Sequence, residues 1–105
     1  MMFRQDLSQP FRRTMGCSGG ELAGWLQRAL PEASLAIESD AAGGNCRASY
    51  ADGELLIEWR ALEPRRIALL RVPQLDVGFT YSGLDLARRA AIQSYFDRAT
   101  QRGGG

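Results

Sequence analysis

The sequence predicts an α+β domain: an antiparallel meander of about five to six strands carrying two helices on one face, in the order β-α-β-β-β-β-β-α. Three observations predict it. Residues 46–81 alternate apolar and polar side chains between turn signals, the pattern of half-buried strands. Two near copies of one helix-start device, Ser18-Gly19-Gly20-Glu21-Leu22 and Ser82-Gly83-Leu84-Asp85-Leu86, each leave a strand and open an apolar stripe. When the turns are used to pair the strands, nearly every apolar residue falls on one face.

The 105 residues make one domain, with residues 1–9 a loose leader and 101–105 a flexible tail. Phe11 to Cys17 reads as an edge strand that extends either end of the meander. Ser18 and Glu21 form a capping box, with Cys17 and Leu22 as its hydrophobic staple. The first helix then carries Leu22, Trp25, Leu26, Ala29 and Leu30 at helical spacing, and Pro31 stops it. Ser34 to Ser39 is a short strand, and Asp40 to Asn45 a loop. The second helix starts on Ser82 as its cap, staples Tyr81 to Leu86, and presents Leu84, Ala87, Ala91, Tyr95, Phe96 and Ala99.

Turns at Asp52-Gly53, Ala61 to Pro64 and Pro73-Gln74 set a register for the meander. They place Tyr50 opposite Leu55, Cys46 opposite Trp59, Trp59 opposite Arg66, Leu70 opposite Val77 and Arg66 opposite Tyr81. The loop before Cys46 places Ile37 opposite Ala48. One face then holds Leu35, Ile37, Cys46, Ala48, Tyr50, Leu55, Ile57, Trp59, Ala68, Leu70, Val72, Leu75, Val77, Phe79 and Tyr81, with Arg66 as its charged member. The arrangement is similar to a shortened helix-grip fold, in which a long C-terminal helix lies across a curved antiparallel sheet. That resemblance implies architecture and not activity.

Composition narrows the function. All 13 basic residues are arginine and there is no histidine, so the commonest general base and the Schiff-base lysine are both absent. Cys17 and Cys46 match no metal or redox spacing, which leaves cofactors and metals unexpected. A net charge of +1 and scattered arginine pairs give no nucleic-acid signature. No apolar run spans a bilayer and the first residues lack a signal-peptide core, so the expectation is a cytoplasmic protein with no membrane partner.

Two departures from the pattern are candidate sites. Arg66, flanked by Trp59 and Tyr81 and close to Ser82 at a helix start, suits a small anionic ligand between the C-terminal helix and the sheet. The bland alternative is an arginine at the sheet rim, stacked on Trp59 and reaching Glu63 or water. On the other face Leu56, Ile67 and Leu69 form an apolar trio suited to a homodimer interface, against scattered surface residues as the alternative. Cys17, just before a helix, suits a redox thiol only if some base assists it.

Two stretches carry a further resemblance: Phe96-Asp97-Arg98-Ala99-Thr100-Gln101-Arg102-Gly103-Gly104-Gly105, and upstream Pro64-Arg65-Arg66-Ile67-Ala68-Leu69. The chain is similar from about Phe11 onward to a group of small proteobacterial proteins. The group implies no catalytic or ligand residue, but it implies that the triple glycine is a natural end. A Gly-Gly terminus also resembles carrier proteins activated at their last carboxylate, although there it follows a strand. The expectation is therefore a small non-enzymatic binding or interaction domain whose expected partner is a second copy, with a small anion as the alternative. A carrier at Gly105 and a Cys17 redox protein are the remaining alternatives.

Overall fold

Cys46, Ala48, Leu55, Ile57, Trp59, Leu75, Val77, Phe79 and Tyr81 are all buried, and they share one face of a single antiparallel sheet. The computed structural model describes residues 5–101. Its elements are β1 (Phe11–Met15), α1 (Gly19–Ala29), β2 (Ser34–Ser39), β3 (Gly43–Tyr50), β4 (Gly53–Ile67), β5 (Leu70–Gly83) and α2 (Leu86–Thr100). The strand order is β1-β5-β4-β3-β2, so β1 closes on the last strand of the meander. Both helices pack on the apolar face and share one core with it. This is the α+β architecture that the sequence predicts, with five strands.

The core is clearest around Phe79. Phe11 pairs with it in the ladder and stacks on its ring at 4.8 Å, while Phe96 of α2 meets the same ring edge-on at 5.4 Å. The Arg13 guanidinium lies 5.0 Å from the ring centroid. Each aromatic pair contributes about 0.5–1.5 kcal/mol beyond its area burial.

The capping box forms as expected. Glu21 N–H donates to Ser18 Oγ at 3.1 Å, and Ser18 N–H donates to Glu21 Oε1 at 3.0 Å. Cys17, Leu22, Leu26, Ala29 and Leu30 are buried in the core.

The second helix departs from expectation. Its cap is Asp85, whose carboxylate accepts from Arg88 N–H at 2.8 Å, and Ser82 is an exposed end of β5 opposite Glu54. The intervening Gly83 and Leu84 have φ of 69° and 34°, in the left-handed region. A Cβ on Gly83 would stand 2.7 Å from the Asp52 carbonyl oxygen, so glycine is required at this crossing. Arg89 locks the turn by donating to the carbonyls of Gly83, Leu84 and Leu7 at 2.7–2.8 Å. Leu86 is exposed, so no staple to Tyr81 forms.

The buried face of α2 is Ile92, Gln93, Phe96 and Thr100, with Ala99 partly buried; Tyr95 is exposed. Polar residues occupy part of the core face because they are satisfied there. Tyr81 O–H donates to Gln93 Oε1 at 2.7 Å, Gln93 Nε2–H donates to Asp97 Oδ1 at 3.0 Å, and Asp97 pairs with Arg13 at 3.0 Å. Thr100 Oγ1 donates back to the Phe96 carbonyl at 2.9 Å.

The meander register also differs. Tyr50 pairs with Gly53, Cys46 with Ile57, and Ile37 with Cys46, each displaced by two residues from expectation. A two-residue slip keeps every side chain on its own face, so Cys46, Ala48, Leu55, Ile57 and Trp59 are buried as expected, while Leu35 and Tyr50 are partly buried and Ile37 is exposed. The turns expected at Ala61 to Pro64 and Pro73-Gln74 are absent. β4 and β5 instead form one long hairpin that turns at Ala68-Leu69, with Trp59 opposite Val77 and Leu55 opposite Tyr81. A bulge between Leu62 and Arg65 absorbs an extra residue beside Pro64 and Pro73. Both prolines are tolerated because, among the described residues, this part of each strand has no second neighbour, so no sheet donor is lost on the outer side.

Replacing Gln93 by Leu strands the Tyr81 hydroxyl and is expected to lower unfolding free energy by about 1–3 kcal/mol. Adding Tyr81→Phe to that variant is expected to recover part of the loss. Urea unfolding of the two single variants and the double checks this.

Candidate functional site

β3 leaves β4 after the pair Gly43–Arg60, and β1 leaves β5 after the pair Met15–Leu75. Among the described residues β4 and β5 continue alone beyond those points, as a two-stranded arm ending at the Ile67–Leu70 pair. Its tip is apolar and uncovered: Leu69 is 100% exposed, Leu70 67% and Ile67 49%. Ala68 holds φ of 55°, a conformation that costs a non-glycine residue about 1 kcal/mol. Arg65, Arg66 and Arg71 surround this tip, all exposed, and none has an ion pair among the described residues. Free strand edges invite pairing, but Pro64, Pro73 and the bulge interrupt both edges at the arm's base. The arm therefore presents side chains at its tip more than backbone at its edges.

The expected anion site does not assemble. Arg66 lies opposite Arg71 in the arm, seven residues along β4 from Trp59, or roughly 20 Å at strand spacing. Trp59 is buried beside Val77, and Tyr81 is buried with its hydroxyl on Gln93. Ser82 is exposed at the strand end. The apolar trio is divided as well. Ile67 and Leu69 stand at the tip, whereas Leu56 sits between Arg47 and Thr80 on the outer sheet face, half-buried. Sequence reasoning missed Leu70 and Arg71 as members of the tip, because a hairpin with neither Gly nor Asn at its turn gives no local signal.

A second feature lies between the helices, where Tyr50 floors a cleft of about 310 Å³ walled by Leu30, Glu32, Arg88, Ile92 and Tyr95. Its size is at the low end for small-ligand sites. Arg88 is its cation, but that charge is already engaged. Arg88 donates to both Asp52 oxygens at 3.0 and 3.3 Å, reaches Glu32 at 3.5 Å and lies 5.4 Å from the Tyr50 ring centroid. The same bonds hold the Asp52 carboxyl below its ordinary range, while burial pushes the Tyr50 hydroxyl up. An anion entering the cleft has to displace a carboxylate from Arg88.

Neither thiol is placed for chemistry at the surface: Cys17 and Cys46 are both buried, and burial pushes the Cys46 thiol up to about 11. The Gly103 to Gly105 tail lies outside the described residues. Among the described residues no helix is long and apolar enough to cross a membrane. No protein family matches the chain, and no curated protein matches it either.

The native protein is expected to show no fast-reacting thiol toward Ellman's reagent at pH 8, with both cysteines reacting on unfolding. Because the Cys46 pKa is raised from 9.0 to about 11, the folded thiol keeps its proton where the unfolded one loses it. Its contribution to stability is thus present below pH 9 and lost as pH rises toward 11. A Cys46→Ala variant is expected to show a shallower alkaline decline in unfolding free energy.

Proposed function

We propose that the protein is a non-enzymatic interaction module that docks through its β4–β5 arm, and that its partner is a second copy of the chain. The observation that carries this reading is the arm's tip, an apolar cluster left uncovered on a projecting hairpin. Exposed clusters of this kind mark interaction sites. An isolated two-stranded ribbon is marginally stable, so docking also supplies the order that the arm lacks on its own.

Charge distribution supports the second copy. Residues 60–72 hold four arginines and one glutamate, whereas residues 21–40 hold four acids and one arginine. The whole chain is close to neutral at +1, so copies do not repel one another in bulk. A basic arm and an acidic α1–β2 segment are complementary between copies, and a two-fold arrangement satisfies both contacts at once. The cleft over Tyr50 favours a second reading, a small-ligand pocket between the helices, but its cation is occupied.

Wild type is expected to be a dimer by light scattering at low salt, weakening about tenfold or more as salt is raised. Leu69→Asp combined with Leu70→Asp is expected to give a folded monomer whose thermal midpoint no longer rises with protein concentration, since neither side chain belongs to the core. A wild-type monomer at every salt concentration defeats the second-copy assignment and leaves the arm to a different acidic partner.

A further inference from the structure

We propose that the cavity at the N-terminus of α1 binds a small monocarboxylate that carries a hydroxyl or ammonium group, held by Trp59 Nε1–H and the N–H groups of Gly19 and Gly20. Trp59 is 4% exposed, and its indole nitrogen is the buried side-chain polar atom without a hydrogen-bond partner among the described residues. Burying such a donor unpaired costs about 1–3 kcal/mol. The nitrogen faces Gly19: a Cβ built there would stand 3.2 Å from it. The cavity at this spot is about 210 Å³ and is lined by Ser18, Gly19, Gly20, Asp40, Gly43 and Trp59, among others.

Three donors belong to residues that line it, for independent reasons. The first intrahelical bond runs from Leu22 N–H to the Ser18 carbonyl, and Ser18 Oγ takes the Glu21 N–H. The N–H groups of Gly19 and Gly20 therefore have no partner within the helix. Two consecutive glycines let an acceptor approach them with no side chain in the way. The Trp59 indole comes from a different element, the centre of the sheet, and supplies the third donor. An 11-residue helix adds the positive end of its dipole.

A carboxylate in the same lining selects the ligand. Asp40 lines the cavity too, with Oδ1 accepting from Ala42 and Gly43 N–H at 2.8 and 3.1 Å. Its carboxylate accepts and does not donate, and it disfavours a second negative charge beside it. The Glu21 carboxylate on Ser18 N–H acts in the same sense. Donors and a carboxylate lining one cavity fit a compact molecule with one carboxylate and one donor, such as a 2-hydroxy or 2-amino acid. They do not fit a phosphate dianion. The volume lies below the usual range for drug-sized ligands and suits only a few heavy atoms.

The test follows the two indole resonances of ¹⁵N-labelled protein, assigned with Trp25→Phe, during titration with glycolate, glycine, acetate and inorganic phosphate. The expected result is a saturable shift of the Trp59 indole N–H with glycolate or glycine and an unmoved Trp25 resonance. Acetate and phosphate are expected to bind about tenfold or more weakly. Gly19→Ala is expected to abolish the shift while the amide spectrum stays folded. Asp40→Asn, which keeps an oxygen for the Ala42 and Gly43 N–H groups, is expected to narrow the preference over phosphate. No saturable shift with any of the four compounds overturns the site and leaves a trapped water as the acceptor. Phosphate binding as tightly as glycolate overturns the ligand class, and an undiminished shift in Gly19→Ala overturns the location. None of these outcomes depends on the oligomeric state.

Discussion

The β4–β5 ladder is the constraint on which the rest depends. It runs from Gly53–Gly83 to Ile67–Leu70, the longest pairing in the sheet. Its inner half is flanked on both sides, by β3 on β4 and by β1 on β5, and it carries Leu55, Ile57, Trp59, Leu75, Val77, Phe79 and Tyr81 into the core. Among the described residues its outer half has no flanking strand and no helix above it, and there the same alternation leaves leucine and isoleucine in solvent. One hairpin is thus core scaffold at one end and exposed surface at the other, and the change occurs at the bulge beside the two prolines.

The inner end of the ladder also positions α2. Gly83 passes so close to Asp52 that only glycine fits, Leu84 N–H donates to the Asp52 carbonyl at 2.9 Å, and Arg89 holds the three carbonyls around the turn. Arg88, one residue earlier, clamps the Asp52 carboxylate. Consecutive arginines at the start of α2 therefore serve the β3–β4 turn and the β5–α2 turn. This explains why so charged a helix start lies against the sheet: its cations are spent on backbone and turn oxygens at the helix's edge, and the apolar burial falls to Ile92 and Phe96 further along.

Features encoded by neighbouring residues were legible in the sequence. The Ser18–Glu21 box and the Leu22, Leu26, Ala29 stripe are complete within α1, and both form. The core face from Cys46 to Trp59 was legible too, because alternation fixes the face even when the register is two residues off, although Ile37 on the edge strand β2 is exposed. What failed depended on partners distant in sequence. Pro64 and Pro73 read as turns because a proline's meaning depends on whether its strand has an outer neighbour. Ala68-Leu69 carries no turn residue, so the true reversal was hidden and Arg66 was folded back onto Trp59. Gln93 fell outside the apolar stripe expected for the second helix, because the Tyr81 hydroxyl that makes it tolerable in the core is on another element. The orphan Trp59 nitrogen could not be read from alternation at all, since a tryptophan on the core face looks complete until its ring orientation is known.

The two candidate features meet at one place. Ala61 and Leu75 are paired across β4 and β5, and both line the cavity at the α1 N-terminus. They are also the pair at which β1 ends and the arm begins to run alone, with Ala61 N–H held by the Ala42 carbonyl at 2.8 Å. A group bound against Trp59 and Gly19 therefore rests on the root of the arm, and a partner gripping Leu69 and Leu70 pulls on that same root. Any ligand that binds one posture of the Ala61–Leu75 pair better than another shifts the arm by that difference in affinity, and linkage requires a partner at the tip to shift the ligand's affinity by the same factor. The bulge next to this pair is where the ladder is least regular, so it is where such a difference is most easily accommodated.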